Sequence, residues 1–248
     1  MVVMRHLNQI KRLLRPHLTR NLCKNVSNVS FMKFHKDWPE NDYKDFLRDM
    51  TVIPDFITKE EVDKILEEIE PYLKRMRYEF DHWDDAIHGF RETERQHWYP
   101  QNKETIEKIR NTAFQGETLP HVHILDLAAD GLIKPHVDSV RYCGSTIAGV
   151  SLLSDSVMRL VRIDEEKYKQ NVENDYRKQP DKSEENSTDP GYFADIYLPQ
   201  NSLYIMRDTA RFNFTHEILG NDNSMFDGNP VIKSRRISIV CRNKPKDF

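Results

Sequence analysis

His136-Val137-Asp138 is followed, further along the chain, by His216 and by the segment Arg236-Ile237-Ser238-Ile239-Val240-Cys241-Arg242. Two ligands of one metal at positions i and i+2 require a β-strand, because alternate residues of a strand share a face. An imidazole from a second strand would complete a set of two histidines and one carboxylate. This set leaves neighbouring coordination positions open and is typical of non-haem Fe(II) oxygenases. The pattern therefore predicts a metal site at His136, Asp138 and His216.

Each part of this pattern is weak by itself, since a lone strand histidine is more often a core or surface residue than a ligand. The combination of a His-x-Asp strand, a distant histidine and an arginine-containing strand is much more specific. Imidazole and carboxylate ligands suit Fe(II), whereas thiolate ligands would favour zinc. We find no cysteine adjoining the three residues in the sequence, which makes zinc the less favoured alternative.

The arginine segment is predicted to bind an acidic cosubstrate. Arg236, Ser238 and Arg242 share one face of their strand, and arginine offers bidentate donors to a carboxylate removed from water. Tyr204 can add a hydroxyl to the same carboxylate, or it can be a half-buried strand aromatic. Arg235 is the competing anchor, but its neighbouring position predicts that it faces the opposite side, toward solvent.

Residues 1–36 differ in composition from the rest of the chain, since they hold eight lysines or arginines and no Asp or Glu. Apolar residues recur there at helical spacing, at Leu7, Ile10, Leu13, Leu14 and Leu18. A basic, amphipathic leader without acids is typical of a mitochondrial presequence. The alternative is a disordered basic tail or a nucleic-acid-binding arm. We therefore predict a leader over 1–36 and a location in the mitochondrial matrix.

The charge balance changes once this leader is set aside. The whole chain has a net charge of −3, but residues 37–248 hold 29 basic against 40 acidic residues. This acidic balance opposes binding to a phosphate backbone. Three cysteines argue against a disulfide framework, and Cys143 and Cys241 are expected to be buried thiols. No apolar run approaches the roughly 18 residues of a membrane span.

The spacing of apolar residues changes along the chain from helical to alternating. Thr58 and Glu61 form a capping box before a helix predicted over 59–75, and a second helix is predicted over 103–114. Strands are predicted over 121–127, 145–153, 157–163, 193–198, 202–207, 212–218 and 236–242. This order indicates a mainly β fold of the α+β class, a sandwich or jelly roll with N-terminal helices packed on one face.

One polar and charged segment, residues 164–190, interrupts the predicted strands. It lacks an apolar period and is predicted to be a mobile surface loop within the domain of residues 37–248. A binding loop is the alternative that its length allows.

Several longer strings carry a family resemblance. They are YEFDHWD (78–84), AIHGFRETE (86–94), IKPHVDS (133–139), TIAG (146–149), VMRL (157–160), HEIL (216–219) and RIS (236–238). Together they resemble the AlkB-related Fe(II)/2-oxoglutarate dioxygenases, and most closely the mitochondrial AlkB homologue 7 group. The resemblance extends from about residue 52 to about residue 243.

This resemblance implies a fold, a cofactor and a set of site residues. The fold would be a double-stranded β-helix of the jelly-roll type, with Fe(II) held by His136, Asp138 and His216. 2-Oxoglutarate would chelate the iron, and dioxygen would be the second cosubstrate. Arg236 would pair with the distal carboxylate of 2-oxoglutarate, and the pocket would be completed by Tyr204, Ser238 and Arg242.

The sequence departs from the nucleic-acid-repair members of the family. Those members carry an Asn-x-Tyr pair on the strand before the metal ligands, where this chain has Leu125 and Leu127. Residues 78–100, at the place of the base-binding lid, mix aromatics with charges of both signs, so packing at the barrel mouth is as well supported as substrate contact. We therefore expect hydroxylation of a protein side chain or a small metabolite. The alternatives are an RNA or DNA demethylase and a non-catalytic metabolite-sensing regulator.

Overall fold

The computed structural model describes residues 28–80, 86–163 and 191–245. The first 27 residues of the predicted leader, the whole predicted loop 164–190 and residues 81–85 of the predicted lid lie outside the described residues. Within the described residues, no helix is long and apolar enough to cross a membrane.

The described residues form twelve β-strands and four α-helices. The twelve strands are β1 (Met32–His35), β2 (Met50–Ile53), β3 (Ile87–Arg95), β4 (Val122–His136), β5 (Thr146–Leu152), β6 (Ser156–Arg162), β7 (Phe193–Leu198), β8 (Leu203–Arg207), β9 (Phe214–Ile218), β10 (Met225–Phe226), β11 (Asn229–Pro230) and β12 (Arg236–Arg242). The four helices are α1 (Glu40–Asp49), α2 (Lys59–Leu73), α3 (Pro100–Ala113) and α4 (Asp208–Phe212).

Ten of these strands form one curled sheet in the order β1-β7-β6-β9-β4-β12-β5-β8-β2, with β3 also paired to β4. All the strand pairings are antiparallel. The short strands β10 and β11 pair separately as a hairpin.

The alternation of strand side chains divides the core between the two faces of the sheet. Leu125 and Leu127 point into the curl, where one buried cluster lies. Ile124 and Ile239 point outward and pack in a second buried cluster with α2 and α3. The predicted mainly β fold with helices against one face of the sheet is therefore confirmed, because the alternating sequence supplies an apolar residue to each face.

The predicted helices and strands agree with the structure in type but differ at several ends. Thr58 and Glu61 form the predicted capping box, in which Glu61 N donates to Thr58 Oγ1 at 3.2 Å and Thr58 N donates to Glu61 Oε2 at 2.7 Å. The second helix begins at Pro100, because proline suits a first helical position. β4 continues well past the predicted end at residue 127 and reaches His136, so one strand connects the core to the metal ligands.

The structure contains elements that the sequence pattern did not predict, namely β1, β2, β3, the hairpin of β10 and β11, α1 and α4. β1 lies within the predicted leader and pairs with β7, placing Met32 opposite Ile196. Just before this strand, Asn28 Nδ2 donates to Met50 O at 2.9 Å, and Val52 N donates to Asn28 Oδ1 at 2.7 Å. Residues 28–36 are therefore part of the folded sheet.

Removing residues 1–36 is expected to destabilise the chain, whereas removing residues 1–27 is not. The longer deletion takes away β1, the buried Met32 and the two hydrogen bonds of Asn28. Loss of one buried methionine side chain alone costs about 2–5 kcal/mol. Urea denaturation of the two truncated chains measures the difference. Equal free energies of unfolding would show that β1 contributes nothing to stability.

Candidate metal centre and cosubstrate pocket

The three predicted metal ligands lie together at the end of β4 and on β9. His136 is directly opposite His216 in the antiparallel pairing of these strands, and the centroids of the two rings are 4.3 Å apart. Asp138 Oδ1 lies 3.4 Å from His136 Nε2 and 3.6 Å from His216 Nε2. One ligand atom from each residue lies within 4.8 Å of the other two, so the group can hold a metal ion.

Neighbouring groups orient these side chains. His136 Nδ1 lies 2.9 Å from the carbonyl oxygen of Lys134, which fixes the ring with Nε2 toward Asp138. The Nε of Arg242 donates to the other carboxylate oxygen, Asp138 Oδ2, at 3.0 Å. Asp138 therefore presents Oδ1 toward the two imidazoles and Oδ2 toward a guanidinium.

The electrostatics favour the protonation states that a metal requires. Burial would raise the pKa of Asp138, but Arg242 and the two histidines outweigh burial and hold this pKa well below its usual range. Burial, with a contribution from His136, lowers the pKa of His216 to about 3. At neutral pH the group therefore offers a carboxylate and a neutral imidazole.

Arg236 is a buried cation whose donors are only partly used. Arg236 stands opposite Leu127 and so lies on the inner face of the curled sheet, with 1% of the residue exposed. Its Nε donates to Ser151 Oγ at 2.9 Å. Nη1 donates to Ser238 Oγ at 3.3 Å, while Nη2 is buried with no hydrogen-bond partner. Among the described residues, no carboxylate forms an ion pair with Arg236. The arrangement leaves a site for the carboxylate of a ligand.

Tyr204 lies on β8 beside this guanidinium and is 8% exposed. It stands opposite Gly149 on β5, where a Cβ atom would come within 2.4 Å of the tyrosine hydroxyl. Glycine is therefore needed for the ring to cross its neighbouring strand. Burial raises the pKa of Tyr204 and Arg236 opposes this rise, so the hydroxyl stays protonated at neutral pH and can donate to an anion.

Comparison with known proteins gives this geometry a family. No protein-family model matches the chain. Over 203 residues the chain is 44% identical to the mouse (Mus musculus) protein "alpha-ketoglutarate-dependent dioxygenase alkB homolog 7, mitochondrial", a match that covers 81% of each protein. The cattle (Bos taurus) protein of the same name is 43% identical over the same length and coverage. The chain belongs to the AlkB homologue 7 family of dioxygenases.

The fold agrees with this membership. The solved structure of OsALKBH1 superimposes with a TM-score of 0.50 at 10% sequence identity, covering 78% of this chain and 97% of that one. At this identity the likeness shows the fold alone. The predicted jelly-roll dioxygenase fold is thereby confirmed for this AlkB homologue 7 family member.

Arg235, the competing anchor, faces away from the pocket of this AlkB homologue 7 family member, as expected, but its side chain is only 30% exposed. It donates to both oxygens of the fully buried Asp126, at 2.9 and 2.7 Å, and also to Glu70. Arg91 donates to the same carboxylate at 2.7 Å. The exposure of Arg235 is limited because Asp126 points outward from β4 beneath the end of α2 and needs cationic partners when buried.

Part of the predicted lid of this AlkB homologue 7 family member contacts the same buried carboxylate, Asp126. Tyr78 donates its hydroxyl to Asp126 at 3.2 Å, and Arg91 lies 4.5 Å from the centroid of the Tyr78 ring. Arg95 binds Glu68 of α2 at 2.6 Å. These contacts support packing and ion pairing of Tyr78, Arg91 and Arg95 on the outward side of the sheet, beside α2. Phe80, in contrast, is 56% exposed.

Two residues that lie beside the predicted metal ligands of this AlkB homologue 7 family member were not predicted from the sequence to be there. Cys143 lies with its Sγ 3.8 Å from Asp138 Oδ2, which corrects the expectation that no cysteine adjoins the ligands. Burial raises the pKa of Cys143 to about 11, so it is a thiol at neutral pH and a poor zinc ligand. Arg211 is also buried and donates to the carbonyl oxygen of Asp138 at 2.6 Å. The sequence gives no periodic signal for either contact, because Cys143 lies in an irregular segment and Arg211 in the five-residue helix α4, which is too short to show a period.

The low pKa of His216 predicts acid sensitivity of the metal-free AlkB homologue 7 family member. Because the folded pKa lies near 3, the unfolded chain, with an ordinary pKa of about 6.5, binds the proton more readily. Stability is therefore lost as pH falls below about 6.5, by about 2 kcal/mol between about pH 7 and about pH 5 from this residue. Urea denaturation in the presence of a chelator should show this extra loss for the wild type and not for His216→Asn. The same acid loss in both chains would contradict the assignment.

Proposed function

We propose that this chain is a mitochondrial Fe(II)- and 2-oxoglutarate-dependent dioxygenase that hydroxylates a protein side chain or a small metabolite in the matrix. The single observation that carries the proposal is the pairing of a complete two-histidine, one-carboxylate group with a buried arginine that lacks an anionic partner. The first fits Fe(II), and the second fits the distal carboxylate of 2-oxoglutarate.

Each residue has a proposed role. His136, Asp138 and His216 hold Fe(II) through two imidazoles and one carboxylate. Arg236 and Ser238 bind the distal carboxylate of 2-oxoglutarate, and Tyr204 donates its hydroxyl to the same group. Bound Fe(II) supplies the activation of dioxygen, while the protein positions the reactants and excludes water.

Arg242 has a different proposed role from the other cosubstrate residues. Its Nε is already committed to Asp138 at 3.0 Å. We infer that it completes the pocket mainly by holding a metal ligand, with a weaker contribution to the cosubstrate. Its pKa is lowered by burial, but the ion pair with Asp138 outweighs burial and raises it, so the guanidinium stays charged.

The overall reaction consumes one molecule of 2-oxoglutarate, one of dioxygen and one C–H bond of the substrate. It yields succinate, carbon dioxide and the hydroxylated substrate. One oxygen atom enters succinate and the other enters the substrate, so no further reductant is required. An apolar wall suits substrate C–H chemistry, and Leu125, which is 5% exposed, faces the same side of the sheet as Ser238.

An RNA or DNA demethylase is the second candidate. Phe80 and Tyr142 are 56% and 65% exposed, and exposed aromatics can stack on bases. Against this, Arg91 and Arg95 are committed to Asp126 and Glu68 and are not free to bind phosphates. Binding of transfer RNA that weakens steeply with salt would support this candidate, and absence of binding at low ionic strength would remove it.

The proposed matrix location rests on the basic leader and on the word "mitochondrial" in the names of both relatives. Since β1 begins at Met32 and Asn28 is bound to β2, we place the end of the leader no later than about residue 27. Amino-terminal sequencing of the protein isolated from mitochondria tests this boundary.

Succinate release from 2-oxoglutarate tests the proposed function. The full chain is incubated aerobically with Fe(II), ascorbate and 2-oxoglutarate, first alone and then with matrix extract. We expect slow succinate release alone and faster release with extract. A chain that neither releases succinate nor binds 2-oxoglutarate would refute the proposal, whereas tight binding without turnover would support the metabolite-sensing alternative.

A further inference from the structure

A series of side-chain contacts connects Glu92 on strand β3 to Asp138. Glu92 Oε2 lies 2.8 Å from His123 Nε2. The other ring nitrogen, His123 Nδ1, lies 3.5 Å from Nη2 of Arg242. Arg242 in turn donates from Nε to Asp138 Oδ2 at 3.0 Å. His123 therefore contacts both Glu92 on β3 and Arg242, and Arg242 contacts the proposed metal ligand Asp138.

The donors and acceptors along this series agree with one another. A guanidinium can only donate, so His123 Nδ1 must be the acceptor in its contact with Arg242. The ring proton then lies on Nε2, where the carboxylate of Glu92 accepts it. Glu92 and Arg242 thus favour the same neutral tautomer of His123, with the proton on Nε2 and with Nδ1 free to accept a hydrogen bond from Arg242.

The contact with Arg242 gives the two carboxylate oxygens of Asp138 different partners. Oδ1 lies 3.4 Å from His136 Nε2 and 3.6 Å from His216 Nε2, whereas Oδ2 accepts from Arg242. A metal at the centre of the three ligands would meet Oδ1 alone while Arg242 stays in place. If Arg242 turned away, both oxygens would become available and would occupy a position needed for the cosubstrate.

We propose that His123, oriented by Glu92, is a positioning residue that holds Arg242 against Oδ2 of Asp138 and so keeps this carboxylate a single-oxygen ligand. The inference rests on the proposed function, since it assumes a metal at the three ligands. Its location fits the role, because His123 is on the same strand, β4, that carries His136. Only 17% of the His123 side chain is exposed, so the ring itself is largely shielded from water, while Glu92 is 34% exposed.

Two pairs of substitutions separate this role from simple packing. His123→Asn keeps an acceptor oxygen near the place of Nδ1, whereas His123→Leu keeps the volume and removes the acceptor. Glu92→Gln keeps an acceptor for the Nε2 proton, whereas Glu92→Leu removes it. Glu94→Gln is the matched control, because Glu94 is an exposed glutamate two residues further along β3.

The experiment is titration of the metal-free full chain with Co(II), followed by its visible spectrum, with thermal unfolding as a check of folding. Groups that hydrogen-bond to a metal ligand typically contribute about 10- to 100-fold in metal affinity. We expect His123→Leu and Glu92→Leu to weaken Co(II) binding by about tenfold. His123→Asn, Glu92→Gln and Glu94→Gln should stay within about threefold of the wild type.

Two outcomes would overturn the proposal while leaving the proposed function intact. One is wild-type affinity for Co(II) in folded His123→Leu. The other is equal weakening by His123→Asn and His123→Leu, which would show a packing role alone. If His123→Leu does not fold, the Glu92→Leu and Glu92→Gln pair decides in the same way. A wild-type chain that binds no Co(II) would refute the metal centre itself, and the role of His123 with it.

Discussion

His136→Ala is expected to reduce succinate release by more than about a hundredfold, because even outer-shell partners of a metal site typically contribute 10- to 100-fold. The substitution removes one of three ligands and leaves Asp138 and His216 in place. The fold should survive, since 27% of the His136 side chain is exposed and it lies at the end of a strand. Metal binding and turnover should therefore be lost while thermal unfolding changes little.

The control for this prediction is His97→Ala, which removes an exposed histidine that precedes α3. Succinate release by both variants is measured under the same Fe(II), ascorbate and 2-oxoglutarate conditions as the wild type. Metal content is measured in parallel. Turnover by His136→Ala close to that of the wild type would show that His136 is not a ligand.

Arg236→Met is expected to abolish 2-oxoglutarate binding without destabilising the ligand-free chain. Loss of one partner of a buried charge pair costs about 2–5 kcal/mol of binding, so the affinity for 2-oxoglutarate should fall by at least about thirtyfold. In the ligand-free chain the same guanidinium is a buried cation with an unpartnered Nη2. We expect removal of this uncompensated charge to offset the loss of its hydrogen bonds to Ser151 and Ser238, because even complete buried ion pairs can be replaced by apolar side chains with a neutral or stabilising effect of about 1–4 kcal/mol.

The neighbouring arginine provides the matched control. Arg235→Met removes ion pairs to Asp126 and Glu70 and leaves the buried Asp126 with Arg91 as its remaining cationic partner. Breaking such a buried pair costs about 3–5 kcal/mol of stability, while 2-oxoglutarate affinity should be retained. Urea denaturation with and without 2-oxoglutarate measures both quantities. The account fails if Arg236→Met retains the ligand-induced stabilisation of the wild type.

The sequence predicted those parts of the fold that have a periodic or local signal. The capping box of Thr58 and Glu61 placed α2, and alternating apolar residues placed seven strands of the sheet. The candidate ligands could be grouped because i and i+2 positions of a strand share a face, although β4 ends at His136 and Asp138 lies two residues beyond its end. The face of β12 was also predictable, since Ile237 and Ile239 alternate with Arg236 and Ser238.

The remaining features depend on contacts between distant segments. β3 carries charges on both faces and shows no clean alternation, and its Arg91 is buried only because Asp126 on β4 lies beneath it. β1 was hidden within a basic segment, where composition favoured a leader. The environment of His123 is equally nonlocal, since its partners Glu92 and Arg242 are 31 and 119 residues away along the chain.

A crystal structure of the chain prepared without oxygen, with Fe(II) and 2-oxoglutarate, tests the central claim most directly. Anomalous diffraction at the iron absorption edge locates the metal independently of its assumed ligands. The account predicts one iron peak among His136, Asp138 and His216, with the distal carboxylate of 2-oxoglutarate against Nη2 of Arg236. Iron at any other position, or a 2-oxoglutarate carboxylate remote from Arg236, would contradict it.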